Sequence, residues 1–576
     1  MTAQRTTALF DLFDRRVALI DGATGTCLQA LQPTCDDFGG PEREGCNEAL
    51  LLTRPDLVAD VHARYFEVGA DIVETNTFGG TPLVLSEYGL ADRCRELNRR
   101  GAEVAREVAK RFSTAEKPRF VAGSMGPTTC ALSVRRSLSF EALVDHYLEQ
   151  ALGLHEGGAD YFLVETCQDT LNLKAALVAI ERLFARGLEK RPIAVSATLD
   201  SAGHMLGGQS PASLARTLAP FDLLYLGLNC GAGTLQLAPR LDELALATGA
   251  RLGLMPNAGL PDENGRYGQS PDDFARDIES ACAQGALNLV GGCCGTTPDH
   301  IRALAKALDR FTPRPCPNAD SSSVPVTSPE TAASSASATS WLSGVEAIAI
   351  GSAARPVIAG ERSNALGSKK FRELIGAGDF DAAADFARRQ LSEGASLIDV
   401  AVQQAERDEA EDMERLLTCL VPRVRSPLMI DTTSPEVAQR ALGHSQGKAI
   451  VNSANLEGGE ERFLKMAHVA RRFGAALVVG LIDEAGMAVD LDRKLAIAER
   501  ALALLEPLGF ERGDLYLDAL VFPCASADPT YVGAARETVR AIAELKRRFV
   551  GVRTTLSKFS SAKKPSITLF APATLR

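Results

Sequence analysis

Several features are scarce in this sequence, and each scarcity excludes something. No run of about 18 apolar residues occurs, the length a helix needs to cross a bilayer. Positive charge does not dominate: 62 Lys and Arg stand against 73 Asp and Glu, for a net charge of −11. With a pI near 5.4, that balance argues against a nucleic-acid partner gripped through its phosphates. The N-terminal stretch MTAQRTTALFDLFDRR is interrupted by Asp11 and Asp14 and lacks the continuous apolar segment of a signal peptide. The expectation is a cytoplasmic chain with neither membrane nor nucleic acid among its partners.

What is present is an ordinary globular composition, 45% hydrophobic and 23% charged, in a chain of 576 residues that is too long for one core. Thirteen cysteines in a large chain without a secretory signal point to metal binding or catalysis more than to disulfides.

Residues 312–345 mark the organisation. The segment TPRPCPNADSSSVPVTSPETAASSASATS from Thr312 has almost no large apolar residue. It buries too little to offset its ordering entropy and reads as a linker, either a plain spacer or a tether. Before it, over residues 1–311, short apolar runs alternate with helix-like segments such as PDLVADVHARYFEVG from Pro55. The runs begin at Val17, Asp71, Arg119, Tyr161, Ile193, Leu223, Arg251 and Leu287. Such a series of βα units predicts a (β/α)₈ TIM barrel, with a doubly wound open sheet as the rival. After the linker, over residues 346–576, the pattern restarts at Pro356, Ser396, Leu428, Ala449, Ala476, Leu515 and Gly551. The α/β chain is therefore expected to hold two tandem barrels.

Strand C-termini of a barrel converge on one face, where chemistry is done. Cys230 ends the sixth strand, Asn257 the seventh, and the adjacent Cys293 and Cys294 the eighth. Adjacent cysteines form only a strained disulfide, and alone they read as two small buried residues. Placed beside Cys230 and an oxygen donor, they fit a tetrahedral zinc site with one displaceable position. Gly291, Gly292 and Gly295 permit the sharp turn that aims consecutive side chains at one ion.

The motifs GLNC ending at Cys230, GGCCGTTPDHI from Gly291, DGATGT from Asp21 and GADIVETNTFGG from Gly69 resemble the homocysteine S-methyltransferase family across residues 10–310. The resemblance implies that Cys230, Cys293 and Cys294 bind Zn²⁺, and that Asn257 is a fourth ligand which homocysteine sulfur displaces. A free thiol has a pKa near ~8.5, and coordination to Zn²⁺ removes its proton while leaving a nucleophilic sulfur. Asp21 and Glu165, at the first and fourth strand ends, match the family's amino-acid pocket and are candidate partners of the substrate ammonium; their alternative role is helix capping. Glu74, Thr75 and Asn76 close the second strand and belong to the same mouth.

In the second half, GERSNALGSKKF from Gly360, SLIDV from Ser396, LMIDTT from Leu428 and IVNSAN from Ile450 resemble the pterin-binding domain of the cobalamin-dependent methionine synthase family. By that resemblance Asp431, Asn452 and Asp518 grip the pterin edge of 5-methyltetrahydrofolate, with Asp483 a further candidate, although Asp and Asn also cap helices. Two departures stand out. Ala401 occupies the position of an Asn, and the tail TTLSKFSSAKKPSITLFAPATLR lacks the Asn expected near the folate N5. Only SITLF from Ser566 can serve as an eighth strand, roughly nine residues after the seventh, too few for a helical crossover. The second barrel is expected to be truncated or altered at its C-terminus, with strand edges left exposed.

A DxHxxG motif that would supply a cobalamin ligand is also missing; the nearest string, DVHARY from Asp60, lacks the Gly. Cobalamin is therefore expected from outside these residues, on a separate carrier protein, free, or on a cobalamin-carrying domain in a missing C-terminal part. The leading expectation is methyl transfer from 5-methyltetrahydrofolate through cobalamin to homocysteine. One alternative is direct methylation of homocysteine by betaine or S-methylmethionine, the second barrel being vestigial. The other makes the second barrel a non-catalytic folate-binding or docking module.

Overall fold

The computed structural model describes residues 3–308, 310–316, 339–351, 356–522, 529–556 and 567–570. The central part of the expected linker, 317–338, and most of the C-terminal tail, 557–566 and 571–576, lie outside the described residues. The chain divides into two compact units: Met1–Ala215 with Asp222–Ser322, and Arg216–Phe221 with Ser323–Arg576. Among the described residues no helix is long and apolar enough to cross a membrane.

In the first unit the eight apolar runs become β1 (Ala18–Leu19), β2 (Ile72–Glu74), β3 (Phe120–Met125), β4 (Tyr161–Cys167), β5 (Ile193–Ala197), β6 (Leu226–Asn229), β7 (Leu252–Met255) and β8 (Leu289–Val290). All seven residues of β4 are buried, as a strand covered on both faces requires. The intervening helices follow from their period. The helix Pro55–Glu67 starts with a proline at its first turn and buries Val58, Val61, Tyr65 and Phe66 on one face. The strands pair in parallel in the order β1-β8-β7-β6-β5-β4-β3-β2. A parallel bridge between Ile20 and Ile72 brings the first and second strands together and rounds the sheet into a barrel.

The N-terminal end of this barrel is plugged by α1 (Ala3–Arg15), an element the periodicity did not announce. Leu9 and Phe13 on α1 are fully buried among Tyr161, Leu163, Tyr225 and Leu289. Arg5 ties the plug down through Asp160 at 2.5 Å, and Asp160 also receives Arg106 and the Val121 N–H.

The second unit begins with an antiparallel hairpin, β9 (Ser340–Ser343) and β10 (Ala347–Ile350), where composition alone suggested the end of the linker. Leu342 and Ile350 of this hairpin belong to the core of the barrel that follows. The barrel strands are β11 (Val357–Gly360), β12 (Leu397–Val400), β13 (Leu428–Asp431), β14 (Ile450–Ala454) and β15 (Ala476–Gly480). A small hairpin of β16 (Ile482–Asp483) and β17 (Gly486–Met487) comes next, then β18 (Leu515–Asp518), β19 (Arg553–Leu556) and β20 (Ile567–Phe570).

The C-terminal alteration takes a specific form. β20 runs antiparallel to both β19 and β11, and the barrel is closed. The open edges expected from the sequence are not there. The physical reason is the spacing. The stretch from 557 to 566 is too short for a helical crossover, so the chain can only return antiparallel.

Candidate metal and substrate site

The three predicted cysteines meet. Their sulfurs all lie within 4.8 Å of one another, with Cys230 and Cys294 3.8 Å apart. Backbone bonds between neighbouring strand ends set this geometry. The Cys230 N–H donates to Met255, the Cys293 N–H to Pro256 at 2.8 Å, and the Ala258 N–H to Cys294 at 3.0 Å. Cys230 itself takes a left-handed conformation at φ 57°, which turns the chain sharply at the end of β6. Two glycines around the pair are obligatory. A Cβ on Gly292 would lie 2.3 Å from the Thr296 hydroxyl oxygen. One on Gly295, whose φ is 79°, would lie 2.2 Å from the Cβ of Tyr267.

The sulfurs behave as one electrostatic group. Hydrogen bonds from Cys230, Cys293 and Tyr267 draw the Cys294 thiol down to about 3. Hydrogen bonding to Cys230 and Cys294 and burial push Cys293 well above the usual thiol range. The cluster thus stabilises one thiolate and resists a second, the behaviour of a donor set that wants a cation. Asn257 is 3% exposed, and its side-chain oxygen has no hydrogen-bond partner. Its backbone N–H donates to Ala232, two residues beyond Cys230, and the next residue's N–H donates to Cys294. Three soft sulfurs with an orphaned amide oxygen on the adjoining strand end fit a zinc ion.

The same cavity, about 420 Å³, is lined by Cys230, Cys293, Cys294, Glu74, Thr75, Asn76 and Glu165. Asp21 is 1% exposed and accepts the Glu74 N–H at 3.1 Å through one oxygen, while the other is buried without a partner. Glu165 accepts from Ser124 at 2.5 Å. Burial, then the Ser124 bond opposing it, leaves Glu165 at about 7. Burial and the neighbouring carboxylates raise Asp21 and Glu74 well above the carboxylate range. No cation pairs with any of the three among the described residues. Such a wall stores an unmet demand for positive charge. Sequence reasoning gave no role to Ser124, Tyr267 or Asn229. Asn229 sits in the GLNC motif and binds the backbone N–H of Thr166, its hydroxyl, and Ser196.

In the second barrel Asp431 and Asn452 stand side by side in the register of β13 and β14, and Asp518 ends β18. Asp431 accepts the Asn364 amide at 2.9 Å. Burial and then Glu409 raise it to about 7. Asp518 accepts the Leu520 N–H at 2.9 Å. Glu361, raised to about 8 by burial, Asp431 and Asp518, joins the same mouth. So does Asp399, which burial, Asp431 and Glu361 raise well above its usual range. Neither was singled out from sequence, although both lie in the GERSN and LIDV motifs. Asp483 stands apart, paired with Arg493, which lowers its pKa. Ala401 is bridged to Asn364, so the amide on that side of the mouth comes from β11's loop rather than β12's.

Comparison with known proteins gives the family. Residues 18–308, just over half the chain, match the homocysteine S-methyltransferase family model, and residues 360–569 match the pterin binding enzyme model. The methionine synthase of Mycobacterium leprae is 38% identical over 572 residues, 98% of this chain and 46% of that protein. That of Mycobacterium tuberculosis is 38% identical over 557 residues, 96% of this chain and 45% of that protein. The chain spans about half the length of the curated relatives it matches. A solved structure of the metallated homocysteine methyltransferase MmuM from Escherichia coli is 26% identical, covering 52% of this chain and 99% of its own at a TM-score of 0.43. The chain belongs to the homocysteine S-methyltransferase family.

Proposed function

We propose that this chain transfers a methyl group to homocysteine, with 5-methyltetrahydrofolate as the donor and cobalamin as the carrier. One observation carries the reading: three clustered sulfurs and an unneutralised acidic wall share one cavity. Soft ligands for zinc on one side and a seat for an ammonium on the other match the two ends of a thiol amino acid. Cys230, Cys293 and Cys294, with Asn257 as a displaceable oxygen ligand, would hold a zinc ion, which would supply the Lewis acidity that keeps a thiol ionised at neutral pH.

The chain's own residues do the rest. Asp21 and Glu165 bind the substrate ammonium, whose charge allows buried carboxyls to ionise, and Ser124 holds Glu165 in place. In the second barrel Asp431, Asn452 and Asp518 bind the pterin, a carboxylate accepting two N–H bonds from its guanidine-like edge. Similarity to proteins named methionine synthase over nearly the whole of this chain supports this assignment. A cytoplasmic setting, where thiols stay reduced, suits the free cysteines found among the described residues.

The test is metal content and activity measured together. Purified chain should hold one zinc and methylate homocysteine from supplied methylcobalamin, and Cys294→Ala should lose both. A Cys294→Ala variant with stoichiometric zinc and full activity overturns the assignment. Methylation from betaine or S-methylmethionine without corrinoid would instead make the donor direct.

A further inference from the structure

The second unit carries a cleft at the end of its barrel opposite the acidic mouth. Its volume is about 550 Å³, and Arg388, Arg389, Arg423, Arg425 and Ser426 line it together with one carboxylate, Glu346; Ser396 lies on the same wall. Ser396 and Ser426 lie just before β12 and β13, at the N-terminal ends of the strands, where barrels do not place catalysis. Four guanidinium groups around one cleft are unexpected in a chain of net charge −11.

The surrounding backbone is fixed. The turn between β9 and β10 presses on residues 425 and 426. The Glu346 N–H donates to the Arg425 carbonyl at 3.0 Å, and a Cβ on Gly344 would lie 2.4 Å from the Ser426 carbonyl oxygen. Arg423 is held by the carbonyl of Asp381 at 2.9 Å and by its carboxylate.

The charges do not cancel. Asp381 and Asp385 are engaged with Arg423, and Asp385 lies 3.6 Å from Arg388. Glu346 takes the Nε of Arg425 at 2.5 Å, leaving that residue's terminal nitrogens free of it. Arg389 has no carboxylate partner among the described residues, and the Ser426 hydroxyl is buried with no hydrogen-bond partner. Four guanidinium-bearing side chains against a single lining carboxylate, Glu346, therefore leave donors in excess around a space of small-molecule size.

We propose that this cleft binds a small, multiply charged anion bearing phosphate or carboxylate groups, gripped by the guanidinium forks of Arg389 and Arg425 and the hydroxyl of Ser426. The site is separate from both barrel mouths and needs neither zinc nor substrate.

Calorimetric titration of the full chain at low ionic strength tests it, with tripolyphosphate in one arm and citrate in the other. One-site saturable binding is expected, weakened about tenfold by Arg389→Gln, the loss of a charge-assisted hydrogen bond. Because Arg389 is exposed and pairs with no carboxylate, the variant should melt like the parent chain. Arg425→Gln provides the second, independent loss. Tighter binding of tripolyphosphate identifies a phosphate ligand, and tighter binding of citrate a carboxylate one. The proposal is overturned if neither anion gives saturable heat up to about 10 mM, or if both variants bind as tightly as the parent.

Discussion

His62 lies in the helix Pro55–Glu67 with 0% exposure, and neither ring nitrogen has a hydrogen-bond partner. Burial lowers its pKa to about 4 from 6.5. The unfolded chain therefore takes up a proton that the folded chain refuses. Stability from this site is complete above pH 6.5, falls as pH drops toward 4, and levels below that. The whole change is about 3 kcal/mol. His62→Leu, similar in bulk and without a proton to gain, should flatten the acid limb of a stability–pH curve measured by urea unfolding. An unchanged slope between pH 6.5 and 4 would show that another group controls it. At this scale the cysteines were legible from sequence, since Cys230, Cys293 and Cys294 sit at strand ends that a barrel must bring together. Glu361 and Asp399 were not. Their motifs are local, whereas their raised pKa values arise from burial in the folded barrel and then from charges on other strands, Asp431 and Asp518 for Glu361 and Asp431 and Glu361 for Asp399.

Two elements show how far local pattern reaches. The eight runs before the linker became the eight strands expected, because a two-sided buried strand must be apolar throughout. α1 was invisible as a plug, since an amphipathic N-terminal helix does not declare what it packs on. Phe13 is fully buried and stacks on Tyr225 at 5.8 Å between ring centroids. Phe13→Ala should cost about 3–5 kcal/mol, read as a lower urea midpoint. Zinc binding should survive in the native state, because the plug and the cysteines occupy opposite ends of the barrel. A loss below about 1 kcal/mol would mean that α1 is a loosely attached appendage. β20 is the converse case. Its existence was legible, but the short connection suggested a truncated barrel, whereas the structure closes the barrel with an antiparallel strand.

At the level of the whole molecule, the two units have separate cores. A fragment ending at residue 316 should therefore retain zinc and methylate homocysteine from methylcobalamin at the parent rate. The folate half should be the slower one. The segment 557–566, SKFSSAKKPS, contains no Asn to support charge developing at the folate N5. Loss of one such donor costs about 2.7–4 kcal/mol of barrier, two or more orders of magnitude in rate. Rapid-mixing assays of methyl transfer from 5-methyltetrahydrofolate to cob(I)alamin, and from methylcobalamin to homocysteine, separate the halves. Equal rates would show that another residue supplies the missing support.

The sequence by itself determined the strand series and the positions of the three cysteines, because strand period and strand-end placement are set by neighbours along the chain. Only the tertiary structure decided that the second barrel closes through an antiparallel strand, that Glu74 and Glu165 line one cavity with Asp21 buried beside them, and that the Asn257 oxygen is left without a partner. Those outcomes depend on burial and on groups distant in sequence, whose desolvation and mutual repulsion exist only once the barrels have formed.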